Sequence, residues 1–253
     1  MKVTLLGTGT SQGVPVIACE CEVCLSKNPR DKRLRCSVLI ETESTTVIID
    51  AGPDFREQCL RAGVNKLDAL VFTHEHRDHV AGLDDVRPFN FKQSKDMPIY
   101  CHPRVAEALR IQFPYIFADT QYPGIPKIEI RPIDIKDFTI GDLVFKPIQT
   151  LHHKLPVLGF RVGDFCYITD TNYISPEEID KVRGTQILVL DALHHSEHIS
   201  HYNLAQSITV AQDIDAAQTY FTHVSHHMGL YNEINDQLPQ KMALSHDGLF
   251  FEI

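Results

Sequence analysis

Short apolar runs bounded by turn residues set the rhythm of the chain, at 3–6, 37–40, 46–49, 69–72, 99–101, 143–145, 158–162, 165–168, 187–190, 218–221 and 249–252. Several, such as Val47-Ile48-Ile49 and Leu188-Val189-Leu190, are apolar at every position, the pattern of strands covered on both faces. Helical patterns lie between them. Residues 54–62 stop at Gly63, and Ser175-Pro176-Glu177-Glu178 reads as a capping box with proline at the first helical position, opening a helix that ends near Gly184. A third helix begins at Asn203 or Leu204 and runs to Ile214, with Leu204, Ile208, Ala211 and Ile214 on one side. Helices therefore flank sheets.

Two stretches echo each other. Residues 44–52 and 163–171 are each a turn, an apolar strand and a strand-end aspartate, Asp50 and Asp170. The echo predicts two related halves packed sheet to sheet with helices outside, in one domain over 1–253. The stretch 84–126 is rich in aromatics and prolines (Phe89, Phe91, Phe113, Tyr115, Phe117, Tyr122) and reads as a lid or subunit contact rather than core.

The chemistry is concentrated in Thr73-His74-Glu75-His76-Arg77-Asp78-His79, directly after the apolar run 67–72. In an extended or loop backbone residues two apart share a face, so His74 and His76 can aim at one cation while Asp78 and His79 aim at a second. Two such ions make a hydrolytic centre. The remaining composition narrows the class. With 253 residues, 43% hydrophobic and a net charge of -9, the chain is of ordinary globular composition and has no basic footprint for nucleic acid. No apolar run approaches the roughly 18 residues that span a bilayer, and 1–7 lacks signal-peptide anatomy, so a cytoplasmic protein is expected. Seven cysteines, three of them crowded at Cys19, Cys21 and Cys24, suit thiolate ligands in a reducing compartment better than disulfides.

The His74-x-His76-x-Asp78-His79 motif after a strand, with Asp50-Ala51-Gly52 upstream, resembles the metallo-β-lactamase superfamily over essentially the whole chain. The resemblance implies an α/β fold, an αββα sandwich of two packed mixed β-sheets flanked by helices. It also implies further ligands, filled here by His152, Asp170 and His223, each after an apolar strand. The first ion would take His74, His76 and His152, and the second Asp78, His79 and His223, with Asp170 and a hydroxide bridging them. His153 stands beside His152 as the alternative, and the pattern prefers His152. Asp50 would orient a ligand histidine or its loop, or be an ordinary strand-end turn residue.

Cys19-x-Cys21-x-x-Cys24 lies in a loop without apolar periodicity, and three soft ligands so close suit a closed structural zinc site. Following Gly7-Thr8-Gly9-Thr10, this run resembles the cyclic-phosphodiesterase branch of the superfamily, typified by the phosphoribosyl 1,2-cyclic phosphate phosphodiesterases of phosphonate breakdown. That resemblance gives His226 as the fourth zinc ligand. It gives His201, in His198-Ile199-Ser200-His201 before a helix, as general acid or phosphate-stabilising group, with Asp78 assisting proton transfer. His194, His195, His198 and His227 read as surface or supporting positions, and Cys36, Cys59, Cys101 and Cys166 as core.

The expected activity is hydrolysis of a small phosphodiester, cyclic diesters included, by a hydroxide bound to two divalent ions, Zn, Mn or Ni, beside one structural Zn. A homodimer is compatible with it. The chain's acidity argues against a polynucleotide, leaving a tRNA 3′-processing nuclease as a lesser alternative. Lactonase or thioesterase chemistry uses the same nucleophile, and a non-hydrolytic role in quinone-cofactor biosynthesis would use the same fold.

Overall fold

The computed structural model describes residues 1–119 and 123–253. Its strands form two sheets among the described residues. The seven-stranded sheet runs in the order Phe250–Glu252, Lys2–Gly7, Ser37–Glu41, Thr46–Ile49, Ala69–Val71, Met97–Cys101, Ile128–Pro132. The eight-stranded sheet runs Tyr173–Ile174, Leu143–His152, Leu155–Val162, Phe165–Ile168, Ile187–Asp191, Gln218–Thr222, Met242–Leu244, with Phe138–Ile140 pairing off Leu143–His152. Both sheets are mixed: antiparallel at one side, parallel from Thr46–Ile49 onward in the first and from Phe165–Ile168 onward in the second.

Alternation along the strands builds the layers. Val47 and Ile49 join Val3, Val38, Phe145, Phe160, Phe165 and Val189 in a core contributed by both sheets, whereas Ile48 turns outward to Leu70, Phe55, Val105 and Leu109. In the second sheet Cys166, Ile168, Leu188 and Leu190 face outward onto Ile179, Val182, Ala211 and Ile214 of the helices. Helix, sheet, sheet and helix are therefore stacked as the sandwich the sequence predicts. The two echoing aspartates follow strands of opposite sheets.

Local signals explain the helix boundaries. Phe55–Ala62 ends where Gly63 takes a φ of 68°, and the Gly63 N–H satisfies carbonyls of the last turn. Leu204–Ile214 opens with a complete capping box between Asn203 and Gln206. At Pro176–Val182 only half of the expected box forms, with Ser175 accepting from the Glu178 N–H. The Glu178 carboxylate instead accepts from Gln149 N and pairs with Lys181.

The stretch 84–126 differs from its expectation. It supplies the strand Met97–Cys101 and the helices Arg87–Gln93 and Pro103–Gln112, and buries Phe89, Val105, Leu109, Phe113 and Ile116 in the outer core of the first sheet. These residues are core because the parallel strand they surround needs cover on both faces. Phe91 and Tyr115 remain exposed, Phe117 packs at the margin, and Tyr122 lies outside the described residues.

Candidate metal centre

Parallel strands end on one edge of the sandwich, where the chain must leave the sheet and its side chains can converge. Asp50 follows Thr46–Ile49, Asp170 follows Phe165–Ile168, and His223 follows Gln218–Thr222. All three adopt left-handed backbone, with φ of 64°, 54° and 58°, a conformation that bulky L-residues adopt at a cost of about 1–3 kcal/mol. The turns so made aim the side chains across the edge.

The His74–His79 segment changes conformation midway. His74 and His76 precede the short helix Arg77–Val80, whose N-cap is His76, so Asp78 and His79 project from a helical turn. This corrects the expected alternation of an extended chain: the two ligand pairs diverge because extended backbone becomes helix between them. Helix Pro103–Gln112 props the loop from outside, with Arg104 Nε 3.0 Å from Glu75 Oε1 and Gln112 donating to Glu75 O at 3.0 Å.

Two groups of side chains converge. The ligand atoms of His74, His76 and His152 lie within 4.8 Å of one another, as do those of Asp78, His79, Asp170 and His223. Asp170 lies between the groups: Oδ1 is 4.0 Å from His74 Nε2 and 3.3 Å from His223 Nε2, and Oδ2 is 3.2 Å from His79 Nε2. His153 belongs to neither group; it is exposed, and its backbone N–H donates to Asn172 Oδ1.

Hydrogen bonding fixes which ring nitrogens carry lone pairs. The carboxylate of Asp50, fully buried, accepts from His79 Nδ1 at 2.7 Å and from the Thr73 hydroxyl and N–H. With its proton given to Asp50, the Thr73 hydroxyl accepts from His74 Nδ1 at 3.0 Å. His152 Nδ1 donates to Ser200 O at 2.9 Å. In each ring Nε2 is left with a lone pair. Among the described residues the buried Nε2 atoms of His74, His79 and His223 have no hydrogen-bond partner, an arrangement that proteins tolerate where a cation is the partner. Burial pushes the pKa values of His74, His152 and His223 down, keeping those rings neutral. Burial alone would do the same to His79, but Asp170, Asp78 and Asp50 raise it well above its ordinary value, so the spot favours positive charge. The donor set fits divalent metal ions with a taste for nitrogen and oxygen.

Beside this cluster stands a carboxylate the sequence reading missed. Asp191 closes strand Ile187–Asp191, and its Oδ2 accepts from His201 Nδ1 at 3.0 Å and from Thr171 N at 3.1 Å. Asp191 is fully buried and His201 nearly so. Burial alone would lower the His201 pKa, yet Asp191 lifts it to about 9, leaving Nε2 protonated. The ring lies 4.6 Å, centroid to centroid, from both His152 and His223. A third strand-end aspartate after an apolar run was visible in the sequence, in the same position that drew attention to Asp50 and Asp170.

A second cluster lies in the N-terminal loop. The Sγ atoms of Cys19, Cys21 and Cys24 are 3.3, 3.3 and 3.5 Å from His226 Nδ1. The Cys24 N–H brings Cys21 down to about 6, while burial pushes Cys24 up to about 11, so one thiolate forms readily and a cation would ionise the next. Cys36, Cys59, Cys101 and Cys166 are buried as expected.

Known proteins share the sequence pattern and the fold. The model of the beta-lactamase superfamily domain matches residues 45–224. An octanoyltransferase of Porphyromonas gingivalis is 38% identical over 254 residues, which cover 98% of this chain and 51% of the relative, so the chain spans about half the length of that protein. A solved diphosphatase of the PhnP family superposes with a TM-score of 0.93 at 40% identity, covering 99% of this chain and 96% of the other. The zinc-bound PqqB of Methylobacterium extorquens shares the fold over the full length of both chains, with a TM-score of 0.81 at 17% identity.

Proposed function

The chain belongs to the metallo-β-lactamase superfamily and is closely related to the PhnP family within it; from that premise we propose a metal-dependent phosphodiesterase acting on a small molecule. The observation that carries this reading is Asp170, set between two histidine groups with the His201–Asp191 pair alongside. His74, His76 and His152 would hold one divalent ion and Asp78, His79 and His223 the other, with Asp170 shared. Ions bound there, Zn, Mn or Ni, would neutralise phosphate oxygens and acidify a water. His201, steadied by Asp191, donates from Nε2 to the departing oxygen. Asp78 assists proton transfer.

Cys19, Cys21, Cys24 and His226 would hold one structural zinc, tying the N-terminal loop to the segment after Gln218–Thr222. Reduced cysteines at that site fit a cytoplasmic setting. The net charge of -9 supports a small substrate over a polynucleotide. No helix among the described residues is long and apolar enough to cross a membrane.

The test is hydrolysis of bis(p-nitrophenyl) phosphate by metal-stripped protein reloaded with Mn²⁺, Zn²⁺ or Ni²⁺, with Asp170→Ala as the blank. Turnover that requires two exchangeable ions supports the proposal. Turnover of p-nitrophenyl octanoate alone would replace it with carbonyl chemistry. Within phosphorus chemistry, the relative described as a diphosphatase supports an anhydride as the alternative bond.

A further inference from the structure

Residues 223–228, directly after strand Gln218–Thr222, join the two side-chain clusters. His223 stands in the Asp170 group, and further along the same segment His226 Nδ1 lies against the sulfurs of Cys19, Cys21 and Cys24. The backbone around them is fixed: Val224 N donates to Thr8 O at 2.9 Å, Ser225 N to Leu193 O at 3.0 Å, and Met228 N back to Ser225 O at 3.1 Å. The His227 N–H closes on the Ser225 hydroxyl at 3.1 Å, and Val224, Ser225 and Met228 are buried. His226 thus stands in a tight turn whose carbonyls have settled positions.

The loop 193–202, which carries His201, packs beside this turn. Its base is closed by Leu193 N donating to Tyr202 O at 3.0 Å and Leu204 N to His194 O at 2.9 Å. Beyond that base, residues 195–199 are exposed. One side chain crosses from the exposed part to the turn: His195 Nε2 donates to Met228 O at 2.8 Å. A carbonyl only accepts, so the proton is on Nε2 and the bond has one direction. Among the described residues, the rings of His194 and His198 bond only within their own loop. Ser200 O, next to His201, accepts from His152 Nδ1 at 2.9 Å, so the loop meets the metal centre through His201 and through His152.

We propose that His195 is a positioning residue: it ties the His201 loop to the turn that the thiolate site holds, so that zinc bound by Cys19, Cys21, Cys24 and His226 sets where His201 stands. The inference rests on the phosphodiesterase reading for the role of His201, and it extends the thiolate zinc from holding the fold to serving the reaction. The path is short and continuous. Zinc fixes His226, the turn passes that constraint on to Met228 O, and His195 carries it into the loop. Asp191 aims the His201 ring, while the tie sets the backbone from which the ring projects. A proton donor must stand within hydrogen-bond reach of the departing oxygen, and a misplacement of about 1 Å costs about 100-fold in rate.

The experiment pairs kinetics with hydrogen exchange on the metal-loaded protein. Diphenyl phosphate releases phenoxide, which needs a proton to depart, whereas bis(p-nitrophenyl) phosphate releases p-nitrophenolate, which does not. His195→Ala should lower kcat for diphenyl phosphate about tenfold more than for bis(p-nitrophenyl) phosphate, with metal content retained. His195→Gln, which returns an N–H near Nε2, should recover most of that loss. Equal loss on both diesters, as from misfolding or a lost metal ion, overturns the positioning role. Amide exchange across 193–204, read by mass spectrometry, should quicken about fivefold in His195→Ala and in Cys21→Ser, and no further in the double variant, because both break one path. Loop exchange unchanged by Cys21→Ser, or additive in the double variant, overturns the link to the zinc. Exchange that responds as stated while the wild type turns over neither diester supports the tie and removes the phosphodiesterase reading.

Discussion

Asp191 is not among the proposed metal ligands, yet it decides what His201 can do. Its Oδ2 accepts from His201 Nδ1 and from the Thr171 N–H, which directs the ring and fixes the proton on Nε2. Asp191→Asn can present an amide N–H to Nδ1 and thereby impose the wrong tautomer. Turnover should fall by about 10²- to 10⁴-fold with metal content retained. Because the two residues act as a unit, Asp191→Asn combined with His201→Ala should be little worse than His201→Ala alone; steady-state kinetics of the three proteins and metal analysis check this. Asp50 acts on the other side through His79. Asp50→Ala should weaken metal binding about 10- to 100-fold, read by competition with a chromogenic chelator.

The short elements at the sheet edge depend on close backbone approach. A Cβ on Gly52 would lie 1.9 Å from the Asp78 carbonyl oxygen, and Ala51 N donates to His79 O at 2.8 Å, so the Asp50 turn and the Arg77–Val80 turn fit only with glycine there. Gly52→Ala should lower stability by about 1–3 kcal/mol and reduce metal occupancy together, measured by chemical denaturation and metal analysis. This interlock was not legible in the sequence, where Gly52 and Asp78 are merely distant letters. The strands Thr46–Ile49 and Ile187–Asp191 were legible because burial on both faces leaves unbroken apolar runs. Ile128–Pro132 escaped because it is an edge strand, half-exposed and polar at alternate positions. Met242–Leu244 and Tyr173–Ile174 are too short to show a period. Among the site residues, the histidines announce themselves by spacing; Asp191 was visible only as another strand-end aspartate, and its role reads through the imidazole it holds.

At the scale of the whole molecule, the inter-sheet core carries the sandwich. Phe145 stacks on Phe138 at 5.1 Å and meets Phe160 edge-on at 6.1 Å, fully buried. Phe145→Ala should cost about 3–5 kcal/mol in urea denaturation. Cys21→Ser acts elsewhere: it should release one zinc per chain and lower Tm while the Asp170 cluster keeps its metal capacity. Unchanged zinc content and Tm in that variant would remove the structural-zinc proposal. Each proposed ion draws on both sheets, since His74, His76, Asp78 and His79 follow a strand of the first, whereas His152, Asp170 and His223 belong to or follow strands of the second. Metal so bound would act as a rivet between two plates. Its tension is set by mass action, so the temperature at which the plates part should climb with the logarithm of free metal concentration, at about 1.4 kcal/mol of stability per tenfold for each ion once its site is saturated. A melting curve then doubles as a gauge of the metal available to the protein.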